Sequence, residues 1–168
     1  MMELIQRYYA AERQTAMVAT GIAVVLILIS LLLWRTSSAA SLARGVSYVF
    51  LVAGLFQSAA GFGYSIVAGN RSQQAAKVYS GHAERDIRQQ ETARMKGVVK
   101  SGYIGGLVTY TALLLVGFVL LLLSVDASAR KGVALALMVV GVLGLCVEAF
   151  SMQANRQYLT AVEARSIS

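Results

Sequence analysis

The 168-residue chain has no proline, one cysteine, one histidine and one tryptophan. The lone Cys146 excludes an intramolecular disulfide, and one histidine with one cysteine cannot supply the ligands of a protein-only zinc site. Without proline, the simplest cause of a helix kink is missing. The remaining residues offer no nucleophile with an orienting base, no nucleotide fingerprint and no heme ligand pair. The sequence therefore predicts a protein that is not an enzyme and uses no cofactor.

Charge is missing from long parts of the chain. Hydrophobic residues make up 57% of it and the mean hydropathy is +0.64, above the usual range of soluble domains. About 20 residues of helix cross about 30 Å of hydrocarbon. We therefore predict an all-α integral membrane fold, a four-transmembrane-helix bundle in a single domain, 1–168. The stretches without Asp, Glu, Lys or Arg are 14–34, 45–70, 101–125 and 132–147, and the predicted spans are 15–34, 46–68, 102–124 and 132–152.

The first apolar run is interpreted as a retained span and not as a cleaved leader. It extends from Thr15 to Trp34, longer than the apolar core of a signal peptide. Glu3 and Glu12 precede it, whereas a leader begins with basic residues. We expect this run to stay in the protein as a membrane anchor.

Basic residues are divided unequally between the predicted loops. Residues 1–14, 70–101 and 152–168 carry eleven Lys and Arg, whereas loops 35–44 and 125–131 carry four. Because Lys and Arg accumulate on the cytoplasmic side, both termini and the central segment are expected there. The protein is predicted to be a multi-pass protein of the cell inner membrane. Topology then explains the net charge of +7, so the lipid bilayer is the expected partner and nucleic acid is not.

The two halves of the chain carry a weak internal repeat. GVSYVFLVAG at 45–54 and GVALALMVVG at 132–141 share four of ten residues at an offset of 87. A duplication would make the fold two repeated helical hairpins. Chance similarity between two apolar spans is the alternative, and both explanations remain open.

Small and polar residues form a seam along the second predicted span, and a similar seam recurs 87 positions later. In lipid, small residues let helices approach closely and polar side chains hydrogen-bond between them. We predict that the second and fourth spans pack along these seams, with Gln57 opposite Gly144 and Glu148 opposite Gly61. The candidate packing or functional residues are Gln57, Glu148, Gly54, Gly61, Gly141 and Gly144.

Glu148 is the only acidic residue within a predicted span. Intramembrane carboxylates often mark ion or proton paths. The alternative is that Glu148 lies about one turn from the headgroups, wetted and near Arg156. Aromatic residues gather toward the predicted ends of the spans and are interpreted as an interfacial belt. They are Tyr8, Tyr9, Trp34, Tyr48, Tyr64, Tyr103 and Tyr158.

The segment 70–101 is the main polar part of the chain. A helix is expected from His82 to Lys100, with Gly81 and Gly97 as its ends and a thin apolar face. The alternatives are a solvated connector, attraction to anionic lipid and docking on a partner. The candidate contacts to lipid headgroups or a partner are Arg71, Lys77, Arg85, Arg88, Arg94, Lys96 and Lys100.

Four spans, very short outer loops and cytoplasmic termini together resemble the small immunity proteins that bacteria keep in the inner membrane against pore-forming toxins. The resemblance rests on architecture, and no residue motif is matched. It implies action through helix contacts with a membrane-inserting toxin, without chemistry. A homo-oligomeric ion channel or small transporter, favoured by Gln57 and Glu148, is one alternative. An accessory subunit of a larger membrane complex is another.

Overall fold

The computed structural model describes residues 1–79, 81–124 and 128–164, which form five α-helices and no β-strand. The helices are α1 (Met2–Thr36), α2 (Leu42–Val78), α3 (Glu84–Ser101), α4 (Ile104–Leu122) and α5 (Ala129–Ala164). Only Gly102 and Tyr103 separate α3 from α4. Four helical units are long and apolar enough to cross a membrane: α1, α2, α3 with α4, and α5. The prediction of an all-helical fold with four long apolar helices is confirmed.

α1 and α2 form an antiparallel hairpin that is closed by small residues. Its buried positions recur every seven residues, the period of left-handed helix packing. They are Ala16, Ala23 and Ser30 on α1, and Ser47, Gly54, Gly61 and Ala68 on α2. A β-carbon added at Gly54 would lie 2.9 Å from the carbonyl oxygen of Ala23. The Ser30 hydroxyl donates a hydrogen bond to the backbone carbonyl of Ser47 at 2.7 Å, which ties α1 to α2.

α4 and α5 form a second hairpin with the same kind of contact. A β-carbon added at Gly117 would lie 2.7 Å from the carbonyl oxygen of Ala134, and one at Gly141 would lie 2.9 Å from that of Tyr110. A β-carbon at Gly144 would overlap the ring of Tyr110. The glycines of α5 therefore make room for the backbone and side chains of α4.

The predicted pairs Gln57 with Gly144 and Glu148 with Gly61 are wrong. Gly61 packs on α1, Gly144 is covered by a tyrosine ring of α4, and the Glu148 carboxylate lies against Gly106 of α4. The second and fourth spans do contact each other, but Gly54 and Gly61 face α1, and Gly141 and Gly144 face α4. Few residues separate the two helices of each hairpin in the sequence, so these helices lie side by side and use their smallest faces for each other.

The two hairpins meet at the top of the bundle, where α2 and α5 begin. A β-carbon added at Gly45 would overlap the carbonyl of Ala129, and one at Gly132 would overlap the carbonyl of Leu42. These two contacts are equivalent, because each residue of the second lies 87 positions from its counterpart in the first. The hairpins therefore face each other with the same surface, as the two halves of a twofold contact do.

Two further features follow the offset of 87. Ser41 and Ser128 form an isolated antiparallel bridge at the top. Buried positions of α2 also recur in α5: Ser47 and Ala134, Gly54 and Gly141, Ala68 and Asn155. The spacing found in the sequence is thus also the spacing of the packing contacts.

The base of the bundle is the end where α1 begins and α5 ends. Apolar side chains are oriented differently there than in the middle of the bundle. In the middle, large apolar residues face outward, including Phe56 at 76% exposure and Leu32 at 63%. At the base, apolar residues turn inward and form a cluster that we call the basal core. It consists of Ile5, Tyr9, Ile87, Met95, Tyr158 and Val162. The base is built like a water-soluble protein and the middle is not.

α3 belongs to the base and docks on α5 along one face. Ile87, Glu91 and Met95 are its buried residues, and their spacing of four places them on one stripe of the helix. Gly81 has a φ of 84°, which suits the turn before α3. The predicted end at Gly97 is wrong, since the helix continues to Ser101. The interpretation of 70–101 as a solvated connector is also wrong for Ile87, Glu91 and Met95, because these side chains are buried.

The small-residue contact of the first hairpin is open to a direct test. Leucine at Gly54 must push α1 away, since even a β-carbon would lie 2.7 Å from Ile27, so the protein should lose about 1–3 kcal/mol of unfolding free energy. Gly63→Leu on the same helix is the matched control, since a β-carbon there meets nothing within 4 Å. Denaturation of both purified variants by circular dichroism gives the comparison. Equal stability of the two would contradict the contact.

Candidate functional site

Glu91 is a buried carboxylate at the centre of the base, with 1% of its surface exposed. It accepts hydrogen bonds from Nε and Nη2 of Arg94 at 2.9 and 2.6 Å, and from the Tyr158 hydroxyl at 2.9 Å. A carboxylate can be buried only when such donors replace water. Glu91 therefore ties α3 to α5.

Arg94 extends the same cluster to α1. Its guanidinium lies 5.5 Å from the ring centre of Tyr9, within the range of a cation–π contact. Burial opposes its charge, but the hydrogen bonds and charge of Glu91 outweigh burial and hold the pKa of Arg94 above its ordinary value. Arg94 is predicted to contact lipid headgroups or a partner, whereas the structure gives it partners within the chain.

Tyr8 lies at the centre of a second group of polar contacts. Its ring stacks on that of Tyr158, with centroids 4.0 Å apart and planes inclined by 18°. Its hydroxyl donates to the Glu12 carboxylate at 2.6 Å, which also accepts from Tyr64 at 2.9 Å. Glu12 thus joins α1 to α2.

Asn155 continues these contacts toward α4. Its side-chain oxygen contacts the Tyr8 hydroxyl, and its side-chain nitrogen donates to the Tyr103 hydroxyl. Tyr103 in turn donates to the carbonyl of Ser151 at 3.3 Å. A line of side chains therefore runs from Tyr64 through Glu12, Tyr8 and Asn155 to Tyr103, and we call it the hydroxyl chain.

Burial keeps the tyrosines of the base protonated. It raises the pKa of Tyr8, Tyr9, Tyr79 and Tyr158 above the ordinary value of about 10. The carboxylate of Glu91 adds to the rise at Tyr79 and Tyr158. These phenols are therefore hydrogen-bond donors over the physiological range.

The interfacial-belt interpretation is wrong for four of the aromatic residues. Tyr9, Tyr103 and Tyr158 are buried at 5%, 8% and 6% exposure, and Tyr8 stacks between helices. At the top of the bundle, the rings of Trp34 and Tyr48 meet edge to face 4.9 Å apart, with the Arg44 guanidinium over Trp34. Trp34 and Tyr48 retain the exposure that a belt needs, and so does Tyr64 on α2.

The polar residues predicted within the spans belong neither to the contacts around Glu91 nor to the hydroxyl chain. Glu148 lies half-buried against Gly106, and Gln57 is also half-buried. Within residues 1–79, 81–124 and 128–164, neither side chain takes part in any of the hydrogen bonds or ion pairs that the chain makes. In particular, no ion pair joins Glu148 to Arg156.

The remaining basic candidates lie on the surface of the base. Lys96 pairs with Glu163 of α5 at 3.1 Å, with both side chains exposed. Arg71, Arg85 and Lys100 are exposed, and Lys77 and Arg88 also have interactions within the chain. Along the described residues, no group of three or more His, Cys, Asp or Glu could hold a metal ion.

Sequence analysis missed Glu12 and Glu91 as organising residues. A usable signal for Glu91 was present, since Ile87, Glu91 and Met95 mark an acidic residue in the middle of an apolar stripe. Arg94 follows one turn later, at the spacing of a helical ion pair. For Glu12 no such signal exists, because its partners come from distant parts of the chain.

The arrangement at the base joins α1, α2, α3 and α5 through polar contacts. Its carboxylates and hydroxyls are occupied by one another. Two shallow surface concavities are found in the described part of the chain, one along α5 from Ala149 to Ala164 and one beside Arg85 and Lys96. No protein-family model, curated protein or solved structure matches the chain.

The buried acid should matter more for stability than an exposed one on the same interface. Glu91→Gln leaves Arg94 without its charge partner and should lower the unfolding free energy by about 1.5–3 kcal/mol. Glu163→Gln breaks only the exposed pair with Lys96 and should change it by about 0–1 kcal/mol. Chemical denaturation of both variants tests this, and an effect of Glu163→Gln as large as that of Glu91→Gln would refute it.

The raised tyrosine pKa values predict a pH dependence at the alkaline end. The folded protein binds the phenolic protons more tightly than the unfolded chain, so the contribution is constant below pH about 10 and falls as pH rises further. Tyr158→Phe removes one of these protons and should make the fall between pH 10 and 11 less steep. Denaturation midpoints measured from pH 8 to 11 decide it. Parallel curves for the wild type and Tyr158→Phe would count against the argument.

Proposed function

We propose that this chain is a multi-pass protein of the cell inner membrane. Its apolar middle lies in lipid, and its basal core and both termini lie in the cytoplasm. The outward-facing Val, Leu, Ile and Phe side chains of the middle form a surface that water-soluble monomers do not tolerate. The eleven basic residues of segments 1–14, 70–101 and 152–168 support this orientation.

Within that membrane, the proposed function is recognition of another transmembrane helix without catalysis. The observation that carries this proposal is the distribution of contacts. The inner faces of the helices pack against one another through small residues. The polar groups of the base hydrogen-bond to one another. The outward apolar face of the middle is left for a partner, and it is long enough to receive a helix.

The specific form that we propose is immunity against a membrane-inserting toxin. The architecture supports it, because the connections 37–41 and 123–128 are too short to form a soluble domain outside the membrane. A toxin segment would therefore be met within the bilayer. An accessory subunit would use the same surface, but for a partner that is always present.

A homo-oligomeric channel or small transporter is the second candidate, and Glu148 favours it. It is a carboxylate within an apolar zone and forms no pair in the described part of the chain. Against a path through one copy, the hydroxyl chain ends at Tyr103. Beyond Tyr103 toward the top, backbones meet directly at Gly117, Gly141 and Gly45. Conduction would have to run between copies.

Deletion and transport measurements separate these candidates. Under the immunity proposal, cells lacking the gene lose viability only when the toxin encoded beside it is present, and the wild-type gene restores them. Purified protein in vesicles should carry no ion flux. Loss of viability without toxin would favour the accessory role, and a flux abolished by Glu148→Gln would favour the channel. Either result would overturn the proposal.

A further inference from the structure

We propose that the face of α4 and α5 around Glu148 is the surface that receives the partner helix, and that the partner presents a lysine or arginine to it. This inference rests on the proposed recognition function and names its surface and the chemistry of its partner. Its first support is a difference between the two hairpins, and its second is the unpaired state of the carboxylate.

The second hairpin departs from the first near Glu148. Its counterpart at the offset of 87 is Gly61, which is buried against Ala16 and Thr20 of an unbroken α1. In the second hairpin the corresponding helix is interrupted between α3 and α4, and a glutamate stands where the first hairpin has glycine. The first hairpin is closed by packing alone at this position. The second carries a charge that packing does not require.

The Glu148 carboxylate has no partner in the described part of the chain. One of its oxygens lies against Gly106, in the first turn of α4, and the nearby rings of Tyr103 and Tyr110 bring no positive charge. A carboxylate at the edge of hydrocarbon is unfavourable without a compensating group. A metal ion would need several oxygen ligands, and no group of three acidic or other ligating side chains exists among the described residues.

The surface beside Glu148 allows a helix to come close. A β-carbon at Gly105 would meet nothing within 4 Å, so the backbone of α4 is open there. Ile104 and Val108 flank it at 59% and 63% exposure. Small residues between larger apolar ones are typical of close helix contacts in lipid. The charge that a negative side chain in such a surface requires is a positive one, which lysine or arginine supplies.

Peptide binding to the full-length protein tests the inference. Cys146 is the single cysteine and is exposed, so a donor fluorophore can be attached there and the protein placed in phosphatidylcholine vesicles. The probes are two acceptor-labelled leucine–alanine helices of about 24 residues. One carries a single lysine near its cytoplasmic end and the other a leucine at that position. The lysine helix should bind about tenfold more tightly, measured by energy transfer.

Two variants locate the effect. Glu148→Gln should remove the preference for lysine and leave binding of the leucine helix unchanged. Gly105→Leu should weaken the lysine helix by filling the open backbone, whereas Gly63→Leu, at an equally open glycine of α2, should not. Equal binding of both helices to the wild type would overturn the inference. An unchanged preference for the lysine helix in Glu148→Gln would also overturn it. So would energy transfer between donor- and acceptor-labelled copies of the protein that persists when the lysine helix is added.

The same variants keep the inference separate from the proposed function. If the wild type protects cells from the toxin and both Glu148→Gln and Gly105→Leu protect equally well, recognition stands and this surface is wrong. If the wild type does not protect, the immunity function fails. The vesicle measurement then still decides whether the surface binds a basic helix.

Discussion

Two helices can bring their backbones into contact only where residues without bulk face each other, and in this chain such residues recur every seven positions. Ser30 with Ser47, and Ala23 with Gly54, set the register of the first hairpin. The second hairpin repeats that register, and the two meet through Gly45 and Gly132. Because small residues fill the inner faces of the helices, the large apolar side chains must face outward. That outward surface is the basis of the proposed membrane location and of the proposed recognition function.

The base of the bundle obeys the opposite rule, because there the helices extend beyond the apolar zone. Apolar side chains gather inside, and the buried Glu91 is compensated by Arg94 and Tyr158. The hydroxyl chain from Tyr64 to Tyr103 crosses from one hairpin to the other at the same level. Polar contacts of this kind have defined geometry, so they fix how the hairpins are oriented at the base, whereas the small-residue contacts fix the register and the separation of the helices.

The sequence predicted those parts of the fold that depend on local composition. Uncharged length is enough to predict four long helices, because a helix makes its backbone hydrogen bonds within itself. The faces carrying Gly54 and Gly141 were also identified, but a small face does not show which helix it contacts. The short sequence separation within each hairpin decides that. Glu91 could have been singled out from its place in the apolar stripe of α3, but Glu12 could not, because its partners Tyr8 and Tyr64 give no local signal. The burial of the base tyrosines, predicted to lie in an interfacial belt, likewise depends on helices that are distant in the sequence.

The central claim is that α1 passes from water into lipid along its own length. Spin labels on single cysteines along α1, in a Cys146→Ser background, test it most directly. Labels at the exposed positions Gln6 and Ala10 should be reached by a water-soluble relaxation agent, whereas labels at Val18 and Leu28 should be reached by oxygen and not by that agent. Equal access of the water-soluble agent to all four positions would contradict the account.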